Sequence, residues 1–204
     1  MRVELSLKNA VFLICLVPLT ILVFNGLTHN LTAEPIKKIT HFTGDWTLYF
    51  LLITLTITPL RRLSGWNQLL SFRRMLGLYA FFYGSLHFLT YFVLDQFFDW
   101  GEIYRDIVKR PYITLGFSGF MLLVPLAITS TNNMKKRLGK NWKRFHSIVY
   151  VIGTLGILHF LWLVKADTRE PIMFGIILIC LLLLRLPYIN KIKYYFRNRA
   201  VEQH

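Results

Sequence analysis

Apolar runs of about twenty residues, long enough to cross a bilayer as self-bonded helices, alternate along this chain with short charged clusters. Six runs predict six transmembrane helices, over 10–27, 45–60, 74–94, 112–129, 144–164 and 172–188, the second being short. The first reads as a retained helix and not a cleaved leader: its apolar core exceeds what a leader needs, and no small-x-small site follows. No internal repeat, low-complexity segment or long linker stands out. The expectation is an all-α membrane protein, a six-transmembrane-helix bundle forming one domain over 1–204.

Composition fits that reading. Of 204 residues, 54% are hydrophobic and 16% aromatic, yet the formal net charge is +14. A soluble chain of this size cannot hide so much apolar surface. The charge sits at the ends of the runs, with no soluble module to dock a duplex, so nucleic acid is not the expected partner. Its distribution sets the orientation. With the N-terminus in the cytoplasm, inner segments hold 17 of the 24 basic residues (Arg2, Lys8, Arg61, Arg62, Arg73, Arg74, Lys135, Lys136, Arg137, Lys140, Lys143, Arg144, Arg185, Lys191, Lys193, Arg197 and Arg199) and only Glu4 and Glu202 as acids. Both termini are therefore expected to be cytoplasmic. The inner clusters either anchor spans at headgroups or form a basic surface for an electron donor or for cofactor phosphates and carboxylates. Cys15 and Cys180 lie in apolar runs without a CxxC spacing and read as packing residues.

Ionisable groups inside a span are costly and are functional candidates. His87 lies in the third run, and His146 and His159 bracket the fifth. His41 sits just outside the second and is a candidate outer-side accessory. The third and fifth helices run the same way. His87 follows Arg74 by thirteen residues and His159 follows Arg144 by fifteen, which at about 1.5 Å per residue sets them at nearly one depth in the outer half. Two imidazoles at one depth on parallel helices can hold one six-coordinate haem iron from opposite sides. Gly84 and Gly156 each precede a histidine by three residues, on the same helix face, and leave room for a flat macrocycle. Gly77 and Gly153 repeat the pattern nearer the inner side. Small residues also serve close helix packing.

His146 lies about 20 Å deeper than His159, on a different face unless the helix bends, which Gly153 and Gly156 would permit. The matching deep position on the third helix is Arg73. Arginine is a poor iron ligand but pairs with propionate or phosphate. Zinc fits poorly, because its structural sites want four close ligands.

The segments "PIKKITHFTG", "RRMLGLYAFFYGSLHFLTY", "RPYITLGFSG", "LAITSTNNMKKRLGKNWKRFHSIVY" and "ILHFLWLVK", in that order, resemble the MsrQ (YedZ) family over nearly the whole chain. These are the haem-binding membrane subunits of bacterial periplasmic methionine sulfoxide reductase systems. Wider relatives are ferric reductases and NADPH oxidases, whose membrane domains put paired histidines on the third and fifth helices. The resemblance implies haem b on His87 and His159, with His146 as a further ligand candidate for a second haem, and FMN as another cofactor. It implies electrons from the quinone pool or a flavin reductase, delivery to the periplasmic molybdopterin subunit MsrP, repair of oxidised envelope proteins, and location in the bacterial inner membrane.

Two departures from the wider relatives matter. Arg73 stands where the oxidases carry a second histidine on the third helix. No GxGxxG occurs, so electrons are expected from a separate donor. Arg73, Arg74 and His146 are the candidate contacts for a flavin phosphate or haem carboxylate. The outer segment "DQFFDWGEIYRDIVKRPY" is either a solvated loop or part of the partner surface. The expectation is an electron-transfer subunit and not the catalytic one. The alternatives are a stand-alone ferric reductase-like haem protein, and a proton-conducting or transport protein, which would want carboxylates within spans.

Overall fold

The computed structural model describes residues 2–164 and 166–185, with no strand among them. The helices are α1 (Arg2–Leu27), α2 (Pro35–Ser64), α3 (Leu70–Leu89), α4 (Trp100–Lys109), α5 (Pro111–Ile128), α6 (Asn132–Leu138), α7 (Lys140–Phe145), α8 (Val149–Leu163) and α9 (Arg169–Leu183). The end of the sixth predicted span at Tyr188, and Lys191, Lys193, Arg197, Arg199 and Glu202 of the charge count, lie outside the described residues.

Among the described residues, four helical segments are long and apolar enough to cross a membrane: Leu7–Leu27, Asn67–Asp95, Pro111–Ile128 and Lys140–Leu163. Large apolar side chains face outward from them. Leu13, Ile14 and Phe24 on α1 are each more than 60% exposed, a surface suited to lipid and not to water.

Two helix pairs dominate the packing, α2 on α3 and α5 on α8. Phe50 of α2 stacks on Tyr79 and Tyr83 of α3 at 5.5 and 5.3 Å. Those tyrosines also fasten α1. Tyr79 donates to the Phe12 carbonyl. The Tyr83 hydroxyl donates to the Cys15 carbonyl at 2.9 Å and accepts from the Leu19 amide at 3.1 Å. Pro18 stands between those two residues and supplies no amide of its own. The tyrosine thus bridges the backbone at the one place where α1 is weakened.

The second helix is not short. It covers 30 residues, because Pro35 suits its first turn and Gly65, at φ 74°, ends it by donating its amide to Arg61. Threonines that read as polar interruptions return their hydroxyls to backbone carbonyls three or four residues back, as at Thr40, Thr43 and Thr47. His41, expected just outside the helix, therefore lies within it, and so does Asp45, expected at its start. The third helix continues past Leu89 as a wider π-helical turn, Thr90–Asp95. The fifth predicted helix is α7 and α8 joined by a tight turn at His146–Ile148, so its irregularity falls at His146 and not at Gly153 or Gly156. The outer segment expected as a loop contains α4. Asp99 caps it by accepting from the Gly101 and Glu102 amides, after Phe97 and Phe98 turn the chain at φ 46° and 62°.

Candidate functional site

The two helix pairs enclose a cavity of about 880 Å³, and both His87 and His159 line it. Their ring centroids are 6.1 Å apart with planes crossed at 77°. Each ring is held from a neighbouring helix. His87 Nδ1 lies 2.8 Å from the Thr40 carbonyl of α2, and His159 Nδ1 lies 2.7 Å from the Tyr112 carbonyl of α5. A carbonyl only accepts, so Nδ1 carries the proton in both rings and Nε2 keeps its lone pair. Such a carbonyl bond is the usual support of a metal-binding histidine.

The chemistry of this pair suits one metal between the rings. Two metal–imidazole bonds of about 2.0 Å set ring centroids about 6.3 Å apart across one ion, close to the observed 6.1 Å. Among the described residues no group of three or more His, Cys, Asp or Glu side chains gathers to hold a bare ion. A two-nitrogen site needs a ligand that completes the coordination itself, as a porphyrin does. The walls suit a flat apolar ligand: Gly44, Gly84, Gly116, Gly119 and Gly156 line the cavity together with Phe88 and Phe120, whose rings stack at 4.8 Å.

The other predicted residues divide. Gly84 and Gly156 line the cavity. Gly77 and Gly153 do not; Gly77 faces Thr54, and Gly153 faces Leu178 and Leu55. They serve helix packing. His41 lines the cavity together with Lys37 and Glu34. His146 is elsewhere. Its Nε2 is 3.0 Å from the Thr129 hydroxyl, and Trp142 stacks on its ring at 4.0 Å. Arg73 is half-buried near His146, Arg185 and Tyr150. Arg74 bonds the Ser130 carbonyl and the Asn132 side chain, which ties α3 to the turn after α5. His146 and Arg73 thus share one end of the bundle, apart from the His87–His159 cavity, and Arg74 is engaged by structure.

Sequence reasoning missed Asp45, Tyr91 and Arg110 in the wall. Arg110 pairs with buried Asp106 of α4 at 3.1 Å, and Tyr91 donates to the same carboxylate, which fixes α4 over the cavity. It also missed an internal echo. Residues 84–89 read "GSLHFL" and residues 156–161 read "GILHFL", so each half of the bundle supplies one histidine from the same short motif.

Residues 43–157 match the model of the ferric reductase like transmembrane component family. The chain is 57% identical over 182 residues to a protein of Herminiimonas arsenicoxydans, covering 88% of this chain and 84% of that one. It is 50% identical over 184 residues to one of Xanthomonas euvesicatoria pv. vesicatoria, covering 87% and 84%. It is 56% identical over 152 residues to one of Xanthomonas campestris pv. campestris (strain B100), covering 74% and 70%. Each of these relatives is named protein-methionine-sulfoxide reductase heme-binding subunit MsrQ. No solved structure matches the chain.

Proposed function

The chain belongs to the ferric reductase-like transmembrane family and, within it, to the MsrQ haem-binding subunits, and from that premise we propose that it is a membrane b-type cytochrome serving a methionine sulfoxide reductase. His87 and His159 hold haem b between them through Nε2. When bound, the haem would supply a one-electron carrier at this pair, with His87 and His159 as the residues that would hold it. The observation that carries this reading is the crossed pair of imidazoles at 6.1 Å, each with its Nδ1 proton given to a backbone carbonyl.

The residues divide the remaining work. The carbonyls of Thr40 and Tyr112 keep both rings neutral and correctly turned. Phe88, Phe120 and Leu123 exclude water around the pair. α4 covers the outer side, and with the exposed Phe97, Trp100 and Tyr104 it forms part of the surface that meets the periplasmic molybdopterin subunit MsrP. Electrons enter at the opposite end, from the quinone pool or a flavin reductase, by way of FMN. There Arg73 and His146 offer a cationic and an imidazole group to a phosphate, a propionate or a second haem. The six-span bundle, both termini in the cytoplasm and residence in the bacterial inner membrane complete the reading, and the outcome is repair of oxidised envelope proteins.

A relay of protons is less well supported. Asp45 lies within α2 and lines the cavity with His41, but among the described side chains no carboxylate lies in the half of the bundle holding Arg61, Arg73 and His146. The purified chain, loaded with haem, is expected to give a low-spin b-type spectrum that a quinol analogue reduces and the methionine sulfoxide reductase subunit reoxidises. A colourless chain, or a reduced haem that the reductase subunit leaves reduced, contradicts the proposal.

A further inference from the structure

Each haem-facing imidazole meets a glycine on a helix other than its own. Gly44 of α2 stands four residues after Thr40, and Gly116 of α5 stands four residues after Tyr112. In an α-helix the residue four positions on sits one turn above the carbonyl. A side chain there would press on the edge of the imidazole that makes that bond. A Cβ on Gly116 would lie 2.8 Å from His159 Nδ1 and 2.9 Å from its Cε1, and one on Gly44 would lie 3.1 Å from the same two atoms of His87. The first distance is below any real carbon contact, and the second is tight. Each histidine follows the carbonyl it bonds by 47 residues, so the two halves of the bundle use the same device.

We infer that Gly44 and Gly116 are positioning residues for the haem ligands: with the carbonyls of Thr40 and Tyr112 they seat the two imidazoles and hold their planes crossed. This rests on the ligand assignment proposed above. An Nδ1–H bond to a carbonyl fixed in a helix sets the rotation of the ring about its own axis. Two such bonds, from α2 and α5, therefore set the angle between the rings. Crossed imidazole planes leave two iron d orbitals nearly equal in energy, which gives a strongly anisotropic low-spin ferric signal at low field. The ring angle is therefore readable without measuring electron transfer.

The test uses the full chain purified in detergent, titrated with haem and examined by low-temperature electron paramagnetic resonance. Loss of the group that supports a metal-binding histidine weakens metal binding by about 10-fold to 100-fold, and Gly116→Ala is expected in that range with its low-field feature displaced. Gly44→Ala is expected to move both readouts in the same direction by less. Gly77→Ala, on the helix of His87 but meeting only Thr54 Cγ2 at 3.8 Å, is expected to match the unaltered chain. The inference is overturned if Gly116→Ala behaves as Gly77→Ala does. If Gly116→Ala does not fold, Gly44→Ala decides, and an unchanged haem affinity and spectrum there overturns it. Should His87→Ala and His159→Ala retain the haem, the ligand assignment itself has failed. Should they lose it while the glycine variants do not respond, this inference alone has failed.

Discussion

His87 and His159 owe their placement to groups that are remote in sequence. Each ring is turned by a carbonyl on a partner helix, so its own helix supplies only the anchor point. Position along the helices was enough to pair the two histidines, because depth follows from a fixed rise per residue. The carbonyls and Gly44 and Gly116 were not legible, since they belong to α2 and α5 and carry no chemistry of their own. His146 differs in kind. Its Nε2 is engaged by Thr129 and its face is covered by Trp142. His146→Ala is therefore expected to leave the haem between His87 and His159 at its full amount per chain, with an unchanged low-spin spectrum; pyridine haemochrome assay and visible spectroscopy check this.

Among the elements, α1 depends most on a single side chain. The Tyr83 hydroxyl is the partner of both the Cys15 carbonyl and the Leu19 amide, and the residue is fully buried. Tyr83→Phe keeps the ring and removes both bonds, each worth about 0.5–1.5 kcal/mol net, leaving the Leu19 amide and the Cys15 carbonyl, four residues apart on α1, only each other as partners. The expected result is a lower Tm in detergent with the haem spectrum intact, measured by scanning calorimetry; an unchanged Tm contradicts the bridge. Lengths were less legible than existence. α2 looked short because its threonines read as polar, whereas their hydroxyls return to the helix backbone. The π turn after His87 had no signal in the pattern, for it arises where α3 meets the fold of α4. There Tyr91 is drawn to Asp106, and the Thr90 hydroxyl bonds the His87 carbonyl.

At the scale of the whole fold, the described residues form two helix pairs facing each other across a cavity of about 880 Å³, with α1 fastened outside one pair and α9 against the other. The repeated "GSLHFL" and "GILHFL" was legible as sequence, but its meaning needed the pairs to be seen opposed. Orientation rests on the basic clusters, and it predicts opposite sides for two loops. A phosphatase fused after Lys109 is expected to be active in the periplasm, and one fused after Lys140 inactive; the reverse pattern contradicts the topology. The proposed function stands on one haem joining the two pairs through His87 and His159. Its most direct test is haem stoichiometry with the reduced-minus-oxidised spectrum, on the purified chain and on His87→Ala and His159→Ala separately. Either substitution is expected to abolish the low-spin haem between the pairs. Retention of the full wild-type spectrum by both variants would contradict it.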